Sequence, residues 1–123
     1  MICYPKIYEI LSTSLKPDLN LSVDAWSDRF MIIPKSSGSS EYGQYKTSRT
    51  PHAREVMKCL SDDHPCKRVI CMVSSQQFKT QVALNWFGST VHQSPSNFLW
   101  LMPTGALAKR LSARVDKTIK AVD

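Results

Sequence analysis

An α/β fold is predicted for this chain: a strand–helix–strand–helix unit with parallel strands, occupying residues from about 68 onward. Two observations carry that prediction. Arg68–Ser74 contains Val69-Ile-Cys-Met-Val73, an uncharged and continuous apolar run of the kind that fills central strands of parallel sheets. A second run, Asn97–Met102, follows a segment with helical spacing. The short joins between these pieces favour a right-handed crossover and a parallel sheet. Two strands leave sheet edges unpaired, so the unit reads as truncated before the rest of its sheet, and as marginally stable or self-associating.

Residues 1–20 read as a short irregular or helical lead closed by Lys16-Pro17-Asp18, and residues 21–123 as the domain proper. Within 21–33, Asp24, Ala25, Trp26 and Phe30 are spaced like a turn and a half of helix. Pro34–Ser40 is a loop on composition, because Gly, Pro and Ser break both periods. Thr50 is placed to cap a helix whose first residue is Pro51, where a missing amide hydrogen costs nothing. Ala53, Val56, Met57 and Leu60 form its apolar face, and Asp62-Asp63-His64-Pro65 ends it. A helix beginning near Lys79 carries Val82, Ala83, Trp86, Phe87, Thr90 and Val91 on its apolar side, and Ser94-Pro95-Ser96 turns the chain. Pro103-Thr104 opens a last helix with Ala108, Leu111, Val115, Ile119 and Val122 inward and basic residues outward.

The length of 123 residues suits one domain or part of one. A formal charge of +6 favours an acidic partner, of which nucleic acid is the commonest. The densest basic group is Lys109, Arg110, Arg114, Lys117 and Lys120, which is equally consistent with a solvated helix face. The longest apolar run is Phe98–Met102, far too short for a membrane span, and the N-terminus lacks the pattern of a signal peptide. These features point to a soluble, cytoplasmic protein without membrane association. Cys3, Cys59, Cys66 and Cys71 contain no CxxC, and His52, His64 and His92 do not complete a zinc pattern. Reduced thiols are expected, with Cys71 acting as a small hydrophobe in its strand.

The junction between the first strand and its helix, Val73-Ser-Ser-Gln-Gln-Phe-Lys-Thr80, carries the chemistry. A phosphate loop sits at such a junction because amides at a helix N-terminus converge on an anion, with the helix dipole behind them. Lys79 and Thr80 occupy the Lys-[ST] positions of G-x-x-x-x-G-K-[ST], the lysine for phosphates and the hydroxyl for magnesium. Ser74, Ser75, Gln76 and Gln77 form the polar remainder of the loop. Both glycine positions differ: Val73 stands at the first and Phe78 at the second. A phenyl ring at the second is expected to crowd the nucleotide or reshape the loop. Taken alone, Lys-Thr after a strand also fits an ordinary solvated helix start.

The surroundings add specificity. Tyr45-Lys-Thr-Ser-Arg-Thr-Pro-His-Ala-Arg-Glu-Val-Met57, followed by Leu60-Ser61-Asp62, resembles the W-x-T-x-R-T-P-Y-x-R-E-I-M-D-x-L-S-D block of one family. That family is the GpA-type terminase large subunits, the lambda-type phage DNA-packaging motors. Leu19–Phe30 resembles the family's opening S-x-x-x-W-A-D-R-[YF], and Ser74–Thr80 its S-A-Q-x-G-K-T form of Walker A. Asn85-Trp86 and Met102-Pro103-Thr104 are similar to its N-N-W-I-G helix and its Q-P-T step. The similarity runs over residues 17–123.

The resemblance implies a P-loop NTPase-like ATPase that uses ATP and Mg2+ to drive double-stranded DNA into a capsid. A small terminase subunit and the portal are its partners, and a separate nuclease belongs to the same subunit. Carried over residue by residue, it implies Lys79 and Thr80 at phosphate and magnesium, Ser74–Phe78 as loop, and Tyr45 and Arg49 near the base. For Arg49 and Arg54, helix capping and surface charge are the competing reading. Two departures from the family pattern stand out, Phe78 for the loop glycine and His52 for the usual tyrosine. No hydrophobic run closing in paired acidic residues follows residue 102, so little or no hydrolysis is expected of these residues alone. The alternative is a non-enzymatic DNA- or partner-binding module derived from a prophage remnant.

Overall fold

The computed structural model describes residues 5–17, 19–37, 41–75 and 77–122. Expectations for Cys3, Asp18, Gly38–Ser40 and Gln76 lie outside those residues. The framework is three mutually packed helices, α2 (Val23–Phe30), α3 (Pro51–Cys59) and α4 (Lys79–Gln93). Ahead of them is α1 (Pro5–Ser14), and α5 (Gly105–Val122) follows. Between α2 and α3 lies an antiparallel pair, β1 (Ile32–Ile33) and β2 (Gly43–Gln44), with Ile32 opposite Gln44 and Ile33 opposite Gly43. Gly43 takes φ 99°, a left-handed conformation that a side chain would disfavour.

The core is built where α2, α3 and α4 meet. Trp26, Met31, Tyr45, Ala53, Met57, Val82 and Leu84 are buried there. The buried polar residues Ser27, Thr47, Asn85 and Ser89 are paired, as burial demands, whereas the buried Oδ1 of Asp24 has no hydrogen-bond partner among the described residues. Asn85 sends Nδ2 to Met57 Sδ at 3.5 Å and accepts from Gln81 Nε2 at 2.9 Å. Ser27 Oγ donates to the Val23 carbonyl at 2.6 Å, and Gln93 Nε2 donates to Ser89 Oγ at 2.8 Å. Thr47 Oγ1 donates to Asp28 Oδ1 at 2.7 Å, which joins α2 to the 3-10 turn Thr47–Arg49 before α3. Two of the sequence blocks singled out above thus meet at one carboxylate.

The chain entering α2 is clamped through both backbone polar groups of one residue. The Leu21 amide donates to Gln93 Oε1 at 2.7 Å, and Gln93 Nε2 donates to the Leu21 carbonyl at 3.0 Å. The Val23 amide, an orphan at the helix start, donates to Ser61 Oγ at 2.9 Å.

Several expectations change. Pro51 opens α3 as predicted, but the Thr50 hydroxyl makes no cap; it pairs with the Tyr45 hydroxyl at 3.0 Å instead. The helix ends at Cys59, before Asp62. On α4 the buried residues are Val82, Leu84, Asn85 and Ser89, whereas Trp86 and Phe87 are half-buried and Val91 is exposed. The reason is that α4 is flanked on more than one side. One side meets α2 and α3, and another meets Phe98, whose ring lies 4.8 Å from Trp86 and 5.3 Å from Phe87. No residue of α5 is buried: Leu111, Val115 and Ala121 are half-buried, while Ala108, Ile119 and Val122 are exposed.

The larger correction concerns the two predicted parallel strands. Residues 65–74 and 95–102 are not helical and pair with no other segment, so no parallel sheet is present among the described residues. An extended segment becomes a strand only when a neighbour takes its amides and carbonyls. The second of them nevertheless alternates in burial as a strand would. Phe98, Trp100 and Met102 are half-buried, while Leu99 and Leu101 are 80% and 79% exposed. Ile70 and Met72 are likewise 77% and 94% exposed rather than buried.

Met57→Ala is expected to lower unfolding free energy by about 2–5 kcal/mol, because it opens a cavity at a fully enclosed site. Met72→Ser is expected to change it by no more than about 0.5 kcal/mol. Denaturant unfolding of both variants checks the contrast, and a core-sized loss in Met72→Ser would show the segment to be covered.

Candidate functional site

The loop at residues 74–80 leads from the first unpaired segment into α4, whose first residue is Lys79. The helix N-terminus presents unpaired amides, and Lys79 and Thr80 lie exposed beside them. The exposed Lys79 side chain turns back towards the loop. Its Nζ donates to the Val73 carbonyl at 3.4 Å, so the ammonium folds back over the loop. Ser74, Ser75 and Gln77 are exposed, and Gln76 is outside the described residues.

Phe78 does not fill the space over the loop. Its backbone adopts φ −62° and ψ −6°, an ordinary helical conformation, so the freedom a glycine would bring is not called upon. Its ring is half-buried and packs towards α3, with its centroid 5.0 Å from the His52 ring. His52 and Phe78 are the two positions that depart from the pattern discussed above, and they touch each other. An imidazole is smaller than a phenol, which leaves room for the phenyl ring beside it. That contact joins positions too far apart in sequence for any local pattern to reveal it.

A cavity of ≈ 460 Å³ lies on this side of the loop, lined by His52, Val56, Val69, Cys71, Ser74, Gln77 and Phe78 among others. Neither Tyr45 nor Arg49 lines it. Tyr45 is 6% exposed, and Arg49 Nη1 pairs with Glu41 Oε2 at 2.9 Å on the surface. Of the basic residues on α5, Arg114 donates to Gln81 Oε1 at 3.5 Å and Lys117 to the Ser36 carbonyl at 3.3 Å. Lys109, Arg110 and Lys120 are exposed. Among the described residues no group of three or more metal-ligating side chains converges, and no helix is long and apolar enough to cross a membrane.

The sequence model of one family, phage terminase large subunit gpA, ATPase domain, matches residues 39–123, well over half of the chain. The chain belongs to that family. The match takes in α3, the loop, α4 and α5 of the terminase ATPase-domain segment, and the family is consistent with the α/β class predicted for it. Residues 17–38, where the resemblance was also drawn, precede the matched range. No curated protein and no solved structure matches the chain.

The His52–Phe78 contact makes a specific prediction. In a double-mutant cycle with His52→Ala and Phe78→Ala, the coupling in unfolding free energy is expected to be about 0.5–1 kcal/mol. Additive losses would mean that the rings do not touch in solution.

Proposed function

We propose that residues 74–80 are the nucleotide-phosphate loop of this terminase ATPase segment, a degenerate Walker A that still holds ATP with magnesium. The observation that carries the reading is Lys79 at the start of α4 with its Nζ drawn back across the loop to the Val73 carbonyl, while the Phe78 ring points away onto His52. A cation in that position neutralises phosphate charge, and the adjacent helix amides donate to phosphate oxygens. Thr80 supplies the hydroxyl for the metal, and Ser74–Gln77 the polar wall. Magnesium, if held there through the Thr80 hydroxyl, would offset phosphate charge. A base-framing role for Tyr45 and Arg49 would require the Arg49–Glu41 pair to open and the buried Tyr45 ring to become accessible.

Residues 1–123 contain no apolar strand closing on an acidic pair after Met102, so these residues alone bind and do not turn over ATP at an appreciable rate. In the packaging motor this segment would act beside double-stranded DNA, the small terminase subunit and the portal. A second reading is favoured by the exposed Lys109, Arg110 and Lys120 of α5, which suit a DNA-contacting, non-enzymatic module left by a prophage.

Calorimetric titration with ATP and magnesium tests the first reading. Binding is expected in the parent chain and is lost in Lys79→Ala; it is retained or strengthened in Phe78→Gly. Equal binding by the parent and Lys79→Ala would remove the loop as the site. For the second reading, duplex affinity should fall steeply between low and moderate salt, since counterions are released on phosphate contact. A salt-independent affinity would rule it out.

A further inference from the structure

The turn after α3 brings two cysteines together. Cys59 occupies the last position of α3 and is half-buried; Cys66 is exposed and follows His64-Pro65. The chain between them folds back through hydrogen bonds from the Ser61 amide to the Lys58 carbonyl at 3.1 Å and from the His64 amide to the Ser61 carbonyl at 3.0 Å. The Cys66 amide then donates to His64 Nδ1 at 3.2 Å. Both cysteines line one cavity of ≈ 380 Å³, together with Lys67 and Arg68. Cys66 is a near enough neighbour of Cys59 to act on its thiol electrostatically.

We propose that Cys59 and Cys66 form a redox-convertible pair that closes as an intramolecular disulfide when it meets a small soluble disulfide such as oxidised glutathione. The exposed Cys66 meets the reagent first, and Lys67 and Arg68 attract its carboxylates. The Cys66 thiolate attacks one reagent sulfur, the reagent's S–S bond breaks, and one glutathione leaves carrying the electron pair. Cys59 then loses its proton and attacks the Cys66 sulfur, releasing the second glutathione. Two protein thiols are oxidised to one disulfide, and one glutathione disulfide is reduced to two thiols. The order follows from the setting of Cys59. Partial desolvation and the neighbouring Cys66 and Glu55 hold its thiol above the usual range, so it is the poorer first nucleophile.

Closure would act on more than the turn. Ser61 and Asp63 inside it hold the start of α2, through Val23 N to Ser61 Oγ at 2.9 Å and Asn20 Nδ2 to Asp63 Oδ1 at 3.1 Å. Cys66 Sγ also donates to the Arg68 carbonyl at 3.2 Å, at the entry to the segment that leads to the phosphate loop. A disulfide would replace that bond and fix the lead-in.

The sequence offers a clean readout, because trypsin cuts after Lys58 and Lys67 and leaves both cysteines on one peptide, residues 59–67. The reduced, folded chain is exposed to oxidised glutathione, alkylated and digested. The expected product is this peptide unalkylated and lighter by two hydrogens, with recovery of both thiols on adding dithiothreitol. In Cys59→Ser a stable glutathione adduct should accumulate on Cys66. Closure in the folded chain should be at least about tenfold faster than in urea, since the fold supplies the proximity. Alkylation of both cysteines, a cross-link to the Cys71 or Cys3 peptide, or equal rates with and without urea would overturn the proposal.

Discussion

The seating of α4 against α2 is the constraint on which the rest depends. Gly88 provides the seat: a Cβ there would stand 2.5 Å from Trp26 Cη2, so the indole lies directly on the helix backbone. Trp26 Nε1 donates to His92 Nδ1 at 2.9 Å, and the Phe30 ring packs edge-on against the same imidazole at 4.9 Å. One turn earlier on α4, Asn85 reaches Met57 of α3. These contacts fix the rotation and height of α4 and so decide where its N-terminus, with Lys79 and Thr80, is presented. The amides proposed as an anion site are held in place by apolar contacts well along the same helix.

The helices were legible from sequence because their apolar periodicity is strong. Ala53, Val56, Met57 and Leu60 recur on one face of α3, and Pro51 marks its start. The detail of α4 was less legible, since a helix flanked on several sides has apolar residues all round and no single stripe to read. Its buried Asn85 and Ser89 are polar and escape any hydrophobic count. The β1–β2 pair was missed because two-residue strands have no period. The apolar runs near 70 and 100 were read as buried parallel strands, and neither pairs into a sheet. Their burial did not follow, because composition reports a preference for a sheet interior and cannot supply the neighbouring strands.

The candidate site divides in the same way. Lys79 and Thr80 at a helix start are a local signal and were legible. The direction of the Phe78 ring was not, because it depends on His52 across the fold. Tyr45 and Arg49 belong to a sequence block that reads as functional; in the structure Tyr45 is part of the core, and Arg49 pairs with Glu41 on the surface. Tyr45 holds Thr50 and the β2 end, where its amide donates to the Met31 carbonyl at 2.9 Å. Asp28 does comparable work for the turn before α3 through Thr47. Part of what marks this family in sequence is thus the scaffold that carries its loop.

The central claim is that the amides leading into α4 still form an anion site in this member of the terminase ATPase family. Amide chemical shifts recorded during titration with magnesium ATP test it most directly, with adenosine as the phosphate-free control. The account predicts that Gln77, Phe78, Lys79 and Thr80 move with ATP and stay in place with adenosine. Shifts confined to α5, or none at all in a folded sample, would contradict it.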